Sequence, residues 1–324
     1  MRLTLTTTSS RYRTLVATSL AFATTACSDS TSPSTDVAFV VEDIARFWEA
    51  VDAGGSADAF QTHYLARASS ALQLFAVSRQ ITGTSLNQMV RAYPRYFAAI
   101  RPNTLALGPS SPVVTSISAN FATMRQLYPR SEAPRVTFVI GRFSTGGTVT
   151  SDGIVIGTEF YSSDAATPLN ELAQFQRVNV KPSSALPAII AHEHTHVLQL
   201  RHGSLQARAR TLLERSLLEG SADFIGELAS GTHINGHIHA WATPREAAVW
   251  QEFQAAMNGT DISRWLYNQQ NSTPDRPGDL GYYVGYRIAK AYYDRAADKS
   301  AAIREIIEVS DAIAFLQQSG YGPR

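Results

Sequence analysis

The segment Ala191–Leu200 reads AHEHTHVLQL and contains His192, Glu193 and His196 in the pattern H-E-x-x-H. Residues four apart project from the same face of an α-helix, so the two histidines can offer their imidazoles to one metal ion. Glu193 lies beside the first histidine, where its carboxylate can accept a proton from a water at the metal. This pattern predicts a metal-binding helix at the centre of the fold.

A second acidic segment lies downstream, where Leu217–Ile225 reads LLEGSADFI. Glu219 lies 23 positions after His196, which is enough for the chain to end one helix, turn and return past the metal. A set of His, His and Glu is one known group of zinc ligands, so His192, His196 and Glu219 are the predicted metal ligands. Asp223 follows Glu219 by four residues and can accept the free N–H of a ligand histidine. The alternative is that both acids form a solvated stripe on an amphipathic helix.

Composition and charge narrow the class of protein. The 324 residues are 44% hydrophobic, which is enough for a sizeable core, and the formal net charge is +1. A near-neutral chain gives no electrostatic reason to bind nucleic acid, so none is expected as a partner. The expected partner is a peptide or protein substrate, and the expected oligomeric state is a monomer.

The N-terminus has the pattern of an export signal over residues 1–26. Arg11 and Arg13 supply a positive region, and the uncharged stretch Thr14–Ala26 follows. This stretch is shorter than the about 20 residues that a membrane-spanning helix needs. The only cysteine, Cys27, comes directly after it, as at a bacterial lipoprotein processing site. The alternative is ordinary cleavage nearby, which leaves Cys27 without a role.

The residues after Cys27 predict a tether and then a single domain. Residues 27–35 are the anchor cysteine and a stretch of mainly Ser, Thr, Asp and Pro, a composition that cannot bury enough surface to fold. We therefore expect a membrane anchor through a lipid on Cys27, a location in the bacterial cell envelope, and a folded domain over residues 36–324. Within one chain the lone cysteine excludes a disulfide.

The pattern of the domain predicts a mainly α fold with a small β-sheet, of the α+β class. Apolar residues recur at helical spacing over most of its length, with Pro94 as a break and one final helix over about 301–318. Val136–Phe143 and Gly153–Phe160 are rich in β-branched and aromatic residues, and a turn-rich segment lies between them. They predict a strand–loop–strand unit. Its edge either binds a substrate backbone as an added strand or is a plain structural hairpin.

The chain resembles a family of predicted zinc-dependent proteases related to the gliding-motility-associated lipoproteins of bacteria. The residues that carry the resemblance are in His192–His196, Leu218–Asp223, Phe138–Arg142 with Gly146–Thr148, and Leu280–Arg287. The resemblance implies a zincin-like, gluzincin-type metallopeptidase domain around the H-E-x-x-H helix. It further implies Zn²⁺ on the two histidines and the downstream glutamate, with the motif glutamate as general base.

Two further groups of residues are candidates for stabilising a transition state. Peptidases of this type often use a Tyr or His from a later segment, and Tyr282 and Tyr286 lie four apart on a predicted helix capped by Asp279. The alternative is that these tyrosines only pack. His233, His237 and His239 are grouped around a tight turn, and the last two would share one face if that segment is extended. Three hypotheses are open for these histidines: one of them donates to the oxyanion, a second metal binds to them, or they lie in a surface loop near the cleft.

The sequence thus favours a zinc-dependent peptidase that hydrolyses peptide bonds with a water activated by the metal and Glu193. A rival hypothesis is a non-enzymatic envelope lipoprotein whose metal is structural or a relic, and which binds a partner or aids assembly. A structural zinc usually has four protein ligands, so a fourth ligand among His233, His237 and His239 would favour the rival. A zinc amidase acting on cell-wall peptides is a third hypothesis with the same chemistry.

Overall fold

The apolar periodicity of the sequence folds mainly into helices. The computed structural model describes residues 38–323, and these belong to one compact unit. The first half contains the helices α1 (Glu42–Asp52), α2 (Ala57–Ala59, continued by a π-helical turn Phe60–Tyr64 and a 3₁₀ turn Leu65–Arg67), α3 (Ser70–Ser78), α4 (Gly83–Ala92), α5 (Pro94–Leu105) and α6 (Pro112–Leu127). The second half contains α7 (Gln174–Asn179), α8 (Leu186–His202), α9 (Leu205–Arg208), α10 (Leu212–Ser230), α11 (Gly236–Ala242), α12 (Glu246–Ala256), α13 (Leu280–Arg295), α14 (Lys299–Ile307) and α15 (Ala312–Ser319).

The described residues contain one small mixed sheet, most of which lies between the two sets of helices in the chain. Its strands are β1 (Phe39–Val40), β2 (Val136–Val139), β3 (Gly147–Thr150) and β4 (Gly153–Gly157), in the order β1-β2-β4-β3. β1, β2 and β4 are parallel, whereas β3 is antiparallel to β4 and forms an edge of the sheet. The prediction of a mainly α fold with a small sheet is therefore confirmed.

The predicted strand–loop–strand unit differs from the structure in its connection. Its two strands are present as β2 and β4, but they are parallel neighbours. The turn-rich segment between them is not only a loop, because it contains the edge strand β3. Gly153 has φ +114°, a conformation that favours glycine, and it allows the tight turn between β3 and β4.

The local sequence explains where α8 and α10 begin and end. Pro187 lies in the first turn of α8 and Gly203 follows its last residue, as the sequence predicts. α10 begins at a capping box in which Thr211 and Glu214 each bond the backbone of the other. It ends at Gly231 in the left-handed conformation.

α8, α10 and α13 form the centre of the helical layer, and α8 also contacts α6 and β3. α10 and α13 cross so closely that a Cβ at Gly285 would lie 1.7 Å from the carbonyl oxygen of Ser216. A Cβ at Gly220 would lie 2.1 Å from the backbone nitrogen of Tyr286. The two glycines are therefore required by the crossing, and the crossing fixes where α10 presents its acids to α8.

Three local predictions need correction. The single helix expected over about 301–318 is two helices, α14 and α15, because Asp311 caps a new start with its side chain. The residues around His237 and His239 are helical in α11 and not extended. Asp279 does not cap α13 with its side chain; it has φ +61° and instead accepts the backbone N–H of Asn268 at 2.8 Å.

The predicted signal peptide over residues 1–26, the lipidated Cys27 and the tether up to residue 35 lie outside the described residues. They stay predictions, as does the start of the domain at residue 36. Among residues 38–323 no helix combines the length and the apolar character needed to cross a bilayer.

Glu159 is a fully buried carboxylate that holds the loop after β2. Its oxygens accept the backbone N–H groups of Gly141 at 2.9 Å and of Phe143 at 3.0 Å, and Phe143 has φ +57°. Burial raises the pKa of Glu159 from 4.5 to about 7, although the two backbone donors oppose the shift. The carboxyl group thus stabilises the fold fully below its unfolded pKa and loses that contribution as the pH rises through about 7.

We expect Glu159→Gln to lower the free energy of unfolding by about 1–3 kcal/mol at pH 5, because an amide nitrogen cannot accept a backbone N–H. The deficit should vanish by pH 8, since ionisation of Glu159 costs the wild type about 2–4 kcal/mol there. Urea unfolding of both proteins at the two pH values measures this difference, with the exposed Glu132→Gln as control. An equal deficit at both pH values would contradict the assignment.

Candidate metal centre

Three side chains from α8 and α10 bring one ligand atom each to a common point. Nε2 of His196 lies 3.1 Å from Nε2 of His192 and 3.3 Å from Oε2 of Glu219. The third side of this triangle, from Nε2 of His192 to Oε2 of Glu219, is 3.6 Å. The three side chains are buried or nearly so, with residue exposures of 7%, 9% and 9% in chain order. They are the three residues predicted as metal ligands, and their binding of zinc stays a prediction.

The triangle has the size that a tetrahedral metal ion requires. Zinc bonds of about 2.0–2.1 Å at tetrahedral angles separate the ligand atoms by roughly 3.3 Å. The donors are two imidazoles and one carboxylate, a set that zinc accepts while leaving a fourth position open. Among residues 38–323, no other group of three or more His, Cys, Asp or Glu side chains comes as close together.

The second nitrogen of each histidine faces a partner that fixes the ring. Nδ1 of His192 lies 2.8 Å from Oδ1 of Asp223 in a charge contact that is not aligned as a hydrogen bond. Nδ1 of His196 lies 2.8 Å from Oε1 of Gln199 in a hydrogen bond. Both Nδ1 atoms thus face acceptors, which leaves both Nε2 atoms for the centre of the triangle.

Gln199 is a residue that the sequence reading missed. Its amide nitrogen donates to the carbonyl oxygen of Leu218 and to Oγ of Ser221, each at 3.0 Å, so its oxygen must face His196. The signal in the sequence is its position three residues after His196, which places it next to that histidine on the helix surface. Gln199 thereby links α8 to the segment of α10 that carries Glu219.

The charged side chains of the site shift one another's pKa values. Burial lowers the pKa of His192, but Asp223 and Glu219 outweigh it and raise this pKa well above its ordinary value. Burial likewise raises the pKa of Glu219, yet His196 and His192 hold it well below the usual range. Glu219 is therefore charged, as a metal ligand must be, whereas His192 must lose a proton before its Nε2 can bind a metal.

Glu193 lies between the ligand triangle and the edge strand β3. A Cβ at Gly147 would lie only 2.6 Å from Oε1 of Glu193, so the strand passes directly against this carboxylate. Burial raises the pKa of Glu193, and the neighbouring His192 and His196 oppose the shift. A carboxylate with a raised pKa is a stronger proton acceptor than one in water.

The two tyrosines predicted to assist catalysis separate in the structure. Tyr282 lines the same cleft as the ligand triangle, and its ring stacks beside His192 at a centroid distance of 6.4 Å. Tyr286 does not line this cleft; its hydroxyl donates to Glu227 at 2.8 Å, and its ring packs on Phe224. The prediction for Tyr286 is therefore wrong, because the helix α13 turns it towards its packing partners.

Tyr267 is a second residue that the sequence reading missed. Its hydroxyl donates to Oε1 of Glu219 at 2.6 Å, which leaves Oε2 for the histidines. It is 53% exposed, has φ +55° and lies in the irregular segment between α12 and α13. No periodicity marks such a segment, so only the folded chain reveals this contact.

The three histidines downstream of α10 lie apart from the ligand triangle. The rings of His233 and His239 pack against each other at 4.0 Å and against Tyr286, and His237 is exposed. None of them joins the group that can hold a metal. Asn235 connects this segment to the site, because its amide donates to Asp223 at 2.7 Å.

The open side of the triangle faces a cleft of about 760 Å³. Its walls come from β3, the segment after β4, helices α7 and α8, and the irregular segment before α13. The side chains that line it include Arg79, Thr148, Tyr161, Lys181, Glu193, Tyr267 and Tyr282. A cleft of this size admits several residues of an extended peptide.

Comparisons with known proteins establish the family. The sequence model of the gliding motility protein GldB family matches residues 57–323. Uncharacterized protein YjaZ of Bacillus subtilis (strain 168) is 30% identical over 111 residues, which cover 33% of this chain and 42% of that protein. The match thus spans less than half the length of this relative, and no solved structure matches the chain. Neither description names an activity. Since the family match covers most of the chain, the predicted relation to gliding-motility proteins is confirmed, and the chain belongs to the family of gliding motility protein GldB.

Proposed function

We propose that the protein is a zinc-dependent peptidase of the cell envelope with a zincin-like catalytic domain. The observation that supports this most is the ligand triangle of His192, His196 and Glu219, which opens to a cleft beside a second carboxylate, Glu193, that is not part of the triangle. Structural zinc sites are closed by four protein ligands, whereas catalytic sites keep one position free.

Each residue of the site has a separate role in the proposed hydrolysis. His192 and His196 would hold the metal through Nε2, and Glu219 through Oε2. Zinc held there would polarise the scissile carbonyl and lower the pKa of a water towards neutral. Glu193 accepts the proton of the attacking water and delivers it to the leaving amine. Tyr282 is the candidate from the later segment for contact with the oxyanion.

The edge strand β3 is the proposed binding surface for the substrate backbone. It pairs with β4 on one side only, so the N–H and C=O groups of its other side have no strand partner among residues 38–323. A peptide added there runs past Gly147 and therefore past Glu193. Main-chain hydrogen bonds of this kind hold a substrate without demanding much of its sequence.

We expect Gly147→Ala to lower kcat about 100-fold while the zinc content stays unchanged. The added methyl group would lie 2.6 Å from Oε1 of Glu193, so the base must move, and a displacement of about 1 Å costs this much. Steady-state kinetics and metal analysis of the purified variant measure both quantities.

Gly108→Ala is the matched control, because nothing lies within 4 Å of a Cβ at that position. It should retain both activity and zinc. A Gly147→Ala protein with wild-type kcat would show that β3 does not pass the base during catalysis.

The location and the anchor belong to the same proposal. Membership in the GldB family and the export signal that ends at Cys27 support attachment to a membrane of the bacterial envelope through a lipid on that cysteine. The substrate is then a peptide or protein of the envelope, and a cell-wall peptide is included in that class. We propose that the protein acts as a monomer.

The rival function is a non-enzymatic lipoprotein with a structural or relic metal. A structural zinc usually has four protein ligands, whereas the group of possible ligands in residues 38–323 contains three side chains. The test is incubation of the zinc-loaded protein with a pool of random peptides, followed by mass spectrometry. New peptide termini that are absent in a metal-free sample support the peptidase, and a zinc-loaded protein that cleaves nothing supports the rival.

A further inference from the structure

Lys181 is a cationic residue of the cleft that the proposed chemistry does not use. It lies in the segment between α7 and α8 and lines the same cleft as the ligand triangle. Its backbone N–H donates to the carbonyl oxygen of Phe160 at 2.7 Å, and its own carbonyl oxygen accepts from Ser163 at 3.3 Å. The segment is thus tied to the residues after β4, and the position of Lys181 in the wall is fixed.

The ammonium group of Lys181 has no partner within residues 38–323. It makes no hydrogen bond and no ion pair there, and burial lowers its pKa while Asp223 opposes the shift at longer range. Lys181 is partly buried, and a cation that loses part of its hydration without gaining an ion pair lowers the stability of a fold. Residues that lower stability in this way are typical of functional sites.

Arg79 is a second cation of the cleft, and its side chain makes few polar contacts. Nη2 of Arg79 reaches Oγ1 of Thr148 on β3 only at 3.4 Å, and its Nε is buried without a hydrogen-bond partner. Arg79 forms no ion pair with a carboxylate of the described chain. Two cations without an ion pair among residues 38–323 therefore line one cleft, and Arg79 lies close enough to Glu193 to oppose the rise of its pKa.

The carboxylates of the cleft are engaged elsewhere. Glu219 contacts the two histidines and Tyr267. Asp279 accepts the backbone N–H of Asn268, and burial raises its pKa to about 6. Glu193 lies against Gly147. None of these carboxylates forms an ion pair with Lys181 or Arg79, so both cations can contact a bound molecule.

We propose that Lys181 binds a carboxylate of the peptide substrate and that Arg79 adds to the positive potential that attracts it. The inference rests on the proposed peptidase function for its substrate class. The carboxylate comes from an Asp or Glu side chain or from a free C-terminus, since both present the same group. Lys181 is thus a residue of substrate specificity and not of the bond-breaking step.

The test is peptide binding to the zinc-loaded Glu193→Gln protein, which separates recognition from hydrolysis. The probes are four fluorescent pools of random hexapeptides. Each pool contains one fixed Glu or one fixed Gln, combined with either a free or an amidated C-terminus. Fluorescence anisotropy gives an apparent affinity for each pool, and the comparison between pools identifies the source of the carboxylate.

We expect the pools that carry the recognised carboxylate to bind about 10-fold more tightly than the Gln, amidated pool. Lys181→Met in the same background should abolish this preference, and Lys181→Arg should keep it. Arg79→Met should weaken it less, because Arg79 already contacts Thr148. The melting temperature of Lys181→Met should equal or exceed that of its parent, since a partly buried charge without an ion pair is removed.

Equal binding of all four pools, an unchanged preference in Lys181→Met, or no measurable binding of any pool would each overturn the inference. The failure of the proposed function is a separate outcome. In that case the zinc-loaded wild type cleaves none of the pools, although the preference for a carboxylate and its dependence on Lys181 are still measured in the binding experiment.

Discussion

Glu193→Gln is expected to keep its zinc and to lose peptide hydrolysis by about 10³-fold. General acid–base catalysis contributes about 10²–10⁴ to a rate, and an amide cannot accept the proton that Glu193 receives. The side chain does not belong to the ligand triangle, so its replacement leaves His192, His196 and Glu219 in place. Glutamine also has the same shape, which preserves the close contact with Gly147.

The measurement combines metal analysis with kcat on a peptide identified from the random pool. Glu132→Gln is the control for the loss of one negative charge, because that carboxylate is exposed and contacts only Arg201. A variant with full zinc and wild-type kcat would remove Glu193 from the mechanism. A variant that has lost its zinc would instead make Glu193 a metal ligand.

Glu219→Ala is expected to lower the zinc content from about one ion per chain to less than about one tenth, because a three-ligand site loses its only charged ligand. The loss also leaves the two histidines without the carboxylate that faces their Nε2 atoms at 3.3 and 3.6 Å. Hydrolysis should disappear together with the metal. The measurement is plasma emission analysis after dialysis against a zinc buffer.

Glu227→Gln is the matched control on the same helix. Glu227 lies eight residues later on α10, and its carboxylate accepts the hydroxyl of Tyr286 outside the cleft. The amide oxygen of glutamine can keep this bond, so zinc and activity should be retained. A Glu219→Ala protein that is folded by circular dichroism and still holds one zinc would contradict the predicted ligand set.

The sequence was sufficient for features that depend on neighbours along the chain. The spacing of His192 and His196, the proline before them and the glycine after α8 define the helix that carries two candidate metal ligands, without any long-range contact. Glu219 can also be predicted from the sequence, because few residue types can supply the third metal ligand after such a motif. Local sequence signals likewise predict the helix break at Pro94 and the two buried strands β2 and β4.

The sequence was insufficient where the outcome depends on how helices pack. The position of Tyr286 is an example, since the close crossing of α10 and α13 at Gly220 turns that side chain to Glu227 and away from the metal site. The edge strand β3 is another, because its glycines and threonines give a turn signal, and only the pairing with β4 makes the segment a strand.

The sequence alone therefore determined the chemistry of this protein's candidate site: which helix carries it, which three side chains can hold a metal, and which carboxylate lies beside them. Only the tertiary structure decided its surroundings. It placed Gln199 beside His196, brought Tyr267 to Glu219, and put Lys181 in the cleft without an ion pair among residues 38–323. The physical reason is that helical periodicity fixes directions over a few residues, whereas contacts between distant segments depend on the packing of the whole core.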